Sequence, residues 1–339
     1  MTVAPARIEV PEAPPIPGLA FRRMRLPEDL PAIADLFNTS DAFDGIEHRS
    51  NAEQLAQWYA NASGWDPAVD CLLAEVDGSV IGYGKVQWEE DNDGGRDYST
   101  YGSIHPEWRR RGLGRAIHHA NVRRLREIAA GQDLPPTMER RLEAWVMESQ
   151  VGAIALLESE GFTVARYFLE MLRSNLETAV EMPMPEGLDV RPMLPEHYRA
   201  VWNADAEAFA DHWGGMDSSD QAFNRYFSGP NFEPDIWRVA WDGDEVAGSV
   251  ANVVMHEYNA QTGSQRGILA GVSVRRAWRG RGLARALVSQ SLIALRERGM
   301  TEAVLGVDAD NATGALGVYE ANGFAVHQRE MTYRKALQA

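Results

Sequence analysis

The stretch Ile268 to Ala286, ILAGVSVRRAWRGRGLARA, joins a short apolar strand, a turn rich in arginine and glycine, and the opening of a helix. Such an arrangement presents backbone N–H groups to an anion. Gly280 and Gly282 remove side chains that would block a close approach, Arg279 and Arg281 set positive charge beside those donors, and Leu283 and Ala284 open the helix. The expected occupant is a pyrophosphate. The same design recurs at Ser103 to Ile117, SIHPEWRRRGLGRAI, where Trp108, Arg109, Arg111 and Gly112 match Trp278, Arg279, Arg281 and Gly282, and Arg110, Leu113 and Gly114 fill the remaining positions. One such turn could equally be a plain helix cap; two in matching contexts point to a cradle. A dinucleotide site is not implied, because its G-x-G-x-x-G must follow the strand directly.

The two copies divide the chain. At 339 residues with 45% apolar side chains, the chain can bury two cores and is expected to form two domains. After a proline-rich leader at 1–17, GLAFRRMRLPED from Gly18 is repeated as GLDVRPMLPEH from Gly187, an offset of 187 minus 18, or 169. The Asp-Gly turn of VDGSVIGYG recurs in WDGDEVAGSV at an offset of 242 minus 77, or 165, and Gly161-Phe162 recurs as Gly323-Phe324, an offset of 162. A repeat of this length is duplication of a whole domain, not a solenoid. The expected boundaries are 18–175, a linker at 176–186, and 187–339.

Within the first copy, alternation and punctuation predict the order β-α-α-β-β-β-α-β-α-β. Strands are expected at Gly18–Arg25, Cys71–Val76, Ser79–Glu89, Asp97–Ile104, Arg141–Met147 and Phe162–Arg173, and helices at Pro27–Asn38, Ala52–Ala62, from the cradle to Ala130, and at Gln150–Glu160. Thr39–Arg49 reads as polar and irregular.

Charge and cysteine content narrow the function classes. The net charge of −16 disfavours nucleic acid and anionic membranes and mildly favours a cationic substrate such as an amine, although an acidic surface serves solubility equally well. Cys71 is the only cysteine and lies in an apolar run, where a small buried hydrophobe is expected. No apolar run approaches the roughly 20 residues that span a bilayer, and the expectation is a cytoplasmic protein. His118 and His119 are adjacent on a helix and point apart, without partners at ligand spacing, so no metal is implied.

At its two glycine turns the chain resembles the GNAT superfamily of acyl-CoA N-acyltransferases, whose pyrophosphate loop reads Q/R-x-x-G-x-G/A. The order of elements around both copies fits, so the resemblance spans nearly the whole chain as two tandem GNAT-like units. It implies an α/β (α+β) fold of two domains, each a mixed, twisted β-sheet flanked by helices. It also implies acetyl-CoA as cofactor and transfer of acetyl to a small-molecule primary amine by direct attack.

The family's second motif is matched by LGVDADNATGALGVYEANGF, Leu305 to Phe324. There the resemblance implies that Asn311 contacts the pantetheine arm and that Tyr319, four residues before Gly323, gives a proton to the CoA sulfur. Aligning the first copy on Gly161-Phe162 puts Leu157 where Tyr319 stands. Leucine cannot donate a proton, so catalysis is assigned to the second half, and the first is expected to bind CoA without turnover or to act as scaffold. A tyrosine merely packing beside the sheet is the alternative for Tyr319. The resemblance further implies that the backbone of Val272, Ser273 and Val274, with Ile104 and its neighbours in the first copy, holds pantetheine, and that an amide near Val272 polarises the thioester carbonyl.

The general base is less determined. The strand GILAGVSV contains no acid, and Glu257, at the expected end of the preceding strand beside His256, is the first candidate; an exposed glutamate reads the same way. Asp211, His212 and Trp213 lie in the loop that walls the acceptor site in the family, and could recognise a polar amine or form an ordinary loop. A rival function is a catalytically silent module that senses or holds acyl-CoA.

Overall fold

The computed structural model describes residues 7–60, 64–91, 94–210, 216, 218–229, 232–310 and 314–337. The chain divides into two compact units, Met1–Arg166 with Glu330–Ala339, and Tyr167–Arg329. In chain order the elements of the first half are β1 (Arg7–Ile8), β2 (Leu19–Arg23), α1 (Leu30–Phe43), α2 (Ala52–Ala60), α3 (Pro67–Asp70), β3 (Cys71–Val76), β4 (Ser79–Glu90), β5 (Arg96–Ile104), α4 (Leu113–Ala130), β6 (Arg140–Met147), α5 (Val151–Ser159) and β7 (Thr163–Arg173). The second half has β8 (Asp189–Arg191), α6 (Tyr198–Phe209), α7 (Asp220–Phe227), β9 (Arg238–Asp242), β10 (Glu245–Val254), α8 (His256–Thr262), β11 (Arg266–Val274), α9 (Leu283–Glu297), β12 (Glu302–Asp308), α10 (Ala315–Ala321) and β13 (Ala325–Ala336).

Each unit carries a mixed sheet. Antiparallel pairing runs from β1 through β5 in the first unit, followed by the parallel pair β5–β6. In the second it runs from β8 through β11, followed by the parallel pair β11–β12. Strand β10, EVAGSVANVV, is buried along nearly its whole length because α6 packs against it and α9 does too. That explains why it reads as a continuous apolar run and not as an alternation.

The last strand of each sheet comes from the other half of the sequence. Residues 330–336 of β13 pair antiparallel with β6, from Glu330 opposite Met147 to Ala336 opposite Arg141. Residues 168–173 of β7 pair with β12, from Phe168 opposite Asp308 to Arg173 opposite Ala303. The sequence boundaries at 175 and 187 assign each final strand to its own half; the pairing assigns each to the opposite unit. In the first unit the exchange is fixed by charge as well as by the ladder. Arg334 donates to Glu143 and to Asp97, both at 2.7 Å, and burial pushes the Glu143 carboxyl above its ordinary range.

Two local expectations change. Helix α1 continues to Phe43, beyond the expected end at Asn38, because the polar residues there find tertiary partners: Arg109 donates to Ser40 Oγ at 2.7 Å and grips Asp44 with two bonds. The described part of the leader is pinned, with Arg7 and Ile8 paired to β2 and Glu12 bound to Arg123 at 2.7 Å. Cys71 is fully buried, and burial pushes its thiol up to about 12, which keeps it protonated and inert. Among the described residues no helix is long and apolar enough to cross a membrane.

Candidate active site

The site of the second unit begins with an irregularity in β11. Gly271 lies opposite Ala251 and Leu269 opposite Asn252, so Ala270 is an extra residue. A bulge of this kind bends the strand and re-aims the residues beyond it. On its other edge β11 pairs with β12 only from Arg266–Glu302 to Ile268–Val304, after which both strands continue apart, to Val274 and Asp308. The two strands thus diverge around a cleft of about 660 Å³, lined by Val272, Ser273 and Val274 on one side and by Gly306, Val307 and Asp308 on the other.

The glycine loop closes one end of that cleft. Gly280 and Gly282 adopt φ of +74° and +88°, and nothing lies within 4 Å of where a Cβ would stand on either. Gly282 caps α9, whose first helical bond runs from Ala286 N to Gly282 O. The amides of Leu283, Ala284 and Arg285 therefore lack helical acceptors, as in any first turn, and face an open space with the positive end of the helix dipole behind them. Gly280, Gly282, Leu283, Ala284 and Arg279 all line the cleft. A cradle left open in this way fits a pyrophosphate, and the unpaired edge of β11 fits an amide-bearing arm.

The arginines act differently from the sequence expectation. Arg279 donates to Val274 O at 3.0 Å and to Ala208 O at 3.1 Å, so it ties the end of β11 to the end of α6. Arg109 does the same work in the first unit, donating to Ile104 O at 3.1 Å. A buried carbonyl needs a donor, and these guanidinium groups answer that need first. Arg281 is exposed and donates to Glu186 O at 3.2 Å. Arg285, which the sequence reading did not single out, lines the cleft.

Tyr319 lies on α10, lines the same cleft and is 7% exposed. Burial pushes its phenol up to about 12, so it is a protonated donor at neutral pH. Phe324 N donates to Tyr319 O at 3.1 Å, closing the helix. The matching closure in the first unit, Phe162 N to Leu157 O at 3.0 Å, makes Leu157 the geometric counterpart of Tyr319.

The first unit has its own cleft, of about 510 Å³, lined by Ile104, Arg109, Arg110, Gly112 and Gly114. Arg111 stacks over Trp108, 4.9 Å from its ring centre, and Leu113 is core. Three features separate this cleft from the other. Leu157 replaces the tyrosine, β4 and β5 pair without irregularity from Gly82–Ile104 to Glu90–Arg96, and Pro14 of the leader sits 3.5 Å from where a Cβ on Gly112 would stand.

Of the remaining candidates, Glu257 is not at a strand end. It lies exposed in the first turn of α8, outside the cleft lining, and His256 beside it meets Glu233 at 3.0 Å. Residues 256–262 leave the sheet because β10 ends at Val254 and α8 fills the connection to β11. Asn311, Asp211, His212 and Trp213 lie outside the described residues. Two acids that the sequence reading passed over are nearer the cleft: Asp308 lines it, and Asp205 on α6 accepts from Ser273 Oγ at 2.5 Å and Ser249 Oγ at 2.7 Å. Burial pushes the Asp205 carboxyl up to about 6. In sequence, Asp205 looks like a solvated helix residue, and only the serines facing it could have marked it.

A duplicated mixed sheet, with a diverging parallel pair over a glycine-capped helix in each copy, is the architecture of a tandem acyltransferase. The chain belongs to the acetyltransferase (GNAT) family, whose model matches residues 31–162 and 198–324, and it is an N-acetyltransferase that moves an acetyl group to an amine. It is similar to proteins named mycothiol acetyltransferase: one from Geodermatophilus obscurus is 29% identical over 91% of this chain and 95% of its own length. Another, from Streptomyces scabiei, is 31% identical over 78% of this chain and 79% of its own length. Among solved structures, a GCN5-related N-acetyltransferase from Sphaerobacter thermophilus superposes with a TM-score of 0.74 at 26% identity, covering 96% of this chain and 97% of that one. A tandem GNAT protein from the clavulanic acid biosynthesis pathway shares the fold, with a TM-score of 0.67 at 17% identity and coverage of 95% and 99%.

Proposed function

We propose that catalysis belongs to the second half of the chain, which takes acetyl-CoA into the β11–β12 cleft and passes the acetyl group to a small primary amine, while the first half binds CoA without turnover or serves as scaffold. The observation that carries the assignment is the pair of equivalent positions, Tyr319 in one cleft and Leu157 in the other. The bulge at Ala270, present in β11 and without counterpart in β5, supports it.

Acetyl-CoA supplies an activated thioester and a thiolate leaving group. The amides at the start of α9, with Gly280 and Gly282 giving room, would hold its pyrophosphate. The diverging edge of β11 would hold the pantetheine arm, and an amide near Val272 would stabilise negative charge on the carbonyl oxygen. Tyr319 would meet the departing sulfur with its hydroxyl. The relatives' name makes deacetylated mycothiol the first acceptor to test, and the net charge of −16 favours a cationic amine in general.

The test is CoA release from acetyl-CoA against a panel of amines headed by deacetylated mycothiol, for wild type and for Tyr319→Phe. An amine that supports turnover in wild type and much less in the variant supports the reading. Turnover indifferent to Tyr319 overturns it.

A further inference from the structure

Nothing on the splayed strand supplies a base for the amine proton, and Glu257 does not reach the cleft. The wall opposite supplies one. We propose that Asp205 receives the amine proton through the hydroxyl of Ser273, making an Asp205–Ser273 relay the base arm of the transfer reaction. The proposal rests on the assignment of catalysis to the second half.

The geometry is specific. Ser273 and Ser249 are a cross-strand pair of β11 and β10, both buried, and both hydroxyls reach Asp205 Oδ1. Ser249 N also donates to Ser273 Oγ at 3.2 Å, which fixes the Ser273 hydroxyl with its proton directed at the carboxylate. Ser273 lines the cleft between Val272 and Val274, and Phe209, one turn beyond Asp205 on α6, lines it too. No hydrogen bond falls on Asp205 Oδ2 among the described residues. Among the described residues, the other elements packed near Asp205 bring no positive charge to neutralise it: α7 contributes Tyr226, whose phenol is pushed up by burial and then by the Asp205 charge. Arg275 is engaged by Glu207 at 2.8 Å, and Arg279 by the carbonyls of Val274 and Ala208.

The half without Tyr319 also lacks the relay. The pair equivalent to Ser249–Ser273 is Tyr83–Ser103. Aligning Pro195 with Pro27, an offset of 168, places Phe37 at the position of Asp205. Phe37 meets Tyr83 edge to face with ring centres 5.1 Å apart. The acid of one unit thus stands where the other has the ring of Phe37 against Tyr83.

In the step itself the amine nitrogen forms a bond to the thioester carbon while the carbon–sulfur bond breaks. One proton leaves the nitrogen for Ser273 Oγ as the Ser273 proton moves to Asp205 Oδ1. The thiolate leaves held by a hydrogen bond from the Tyr319 hydroxyl and takes its proton from solvent, which also removes the proton that Asp205 received.

The experiment compares full-length wild type, Asp205→Asn and Ser273→Ala in acetyl transfer to deacetylated mycothiol across pH. Asp205→Asn should lower kcat/KM on the order of 100-fold near neutral pH and remove the loss of activity that wild type should show as pH falls through about 6. Ser273→Ala should lower it in the same direction, and acetyl-CoA should bind all three proteins equally. A readout without acceptor comes from thermal stability of the free protein. A carboxyl raised to about 6 in the folded state stabilises below its unfolded value and loses that contribution as pH rises through about 6, and Asp205→Asn should abolish this loss. If wild type is active and Asp205→Asn keeps both its kcat/KM and its acid limb, the relay is wrong. If wild type transfers acetyl to no amine, the assignment of catalysis fails first, and the relay with it.

Discussion

Replacing Tyr319 by phenylalanine removes one hydroxyl from the cleft and leaves the ring, which meets Phe324 at 6.2 Å between centres. Burial has pushed the phenol up to about 12, whereas a free thiol titrates near 8.5. Complete proton transfer to a bare thiolate is therefore uphill by about 3.5 units, roughly 5 kcal/mol. What the hydroxyl offers most directly is a hydrogen bond that strengthens as charge develops on sulfur, worth about 1.5–3 kcal/mol for a charged acceptor. At 1.36 kcal/mol per decade that corresponds to a fall in kcat of about 10- to 150-fold. The raised value also means that any alkaline loss of activity well below pH 12 arises elsewhere. The assay is loss of thioester absorbance at saturating amine, with the acetyl-CoA dissociation constant measured in parallel. A drop in kcat with unchanged binding is expected, and the fold should keep its stability to within about 1 kcal/mol. A kcat within threefold of wild type, roughly 0.65 kcal/mol, would refute the reasoning.

Other consequences are as direct. Arg279→Ala removes donors from two carbonyls and should cost about 1–3 kcal/mol of stability per orphaned buried group, visible as a lowered Tm even without cofactor; an unchanged Tm would return Arg279 to the role of anion ligand. Arg334→Ala strips Glu143, 1% exposed, of its charged partner and should cost about 3–5 kcal/mol. Because burial raises the Glu143 carboxyl, its protonated form fits the fold, so the damage should be smaller at acid pH and grow as pH rises through the raised value; denaturant titrations at two pH values check this. Leu157→Tyr should leave the first unit silent, since β4 and β5 pair regularly beside it, and turnover in Leu157→Tyr/Tyr319→Phe above that of Tyr319→Phe alone would contradict that.

The two glycine turns, the Asp-Gly hairpin and the Gly-Phe closures were legible because each rests on local backbone demands that glycine and aspartate announce. The exchange of β7 and β13 was not. Alternation in Phe162–Arg173 marks a strand and its buried face, but any sheet edge of matching pattern satisfies it, so the partner is decided by tertiary contacts such as Arg334 with Asp97 and Glu143. Glu257 was misplaced for a related reason: MHEYN can close a strand or open a helix, and α8 won. Arg109 and Arg279 were read as anion ligands because sequence does not show the carbonyls they serve. Asp205 was invisible because its meaning comes from two serines on distant strands.

The central claim is that one of two similar cradles feeds catalysis. The most direct measurement is the acetyl-CoA dependence of acetyl transfer for Gly282→Glu and Gly112→Glu, each placing a carboxylate at a helix N-cap in left-handed backbone. Gly282→Glu should raise the KM for acetyl-CoA at least tenfold, about 1.4 kcal/mol, with Gly112→Glu near wild type. The reverse pattern, or equal damage from both, would contradict the account.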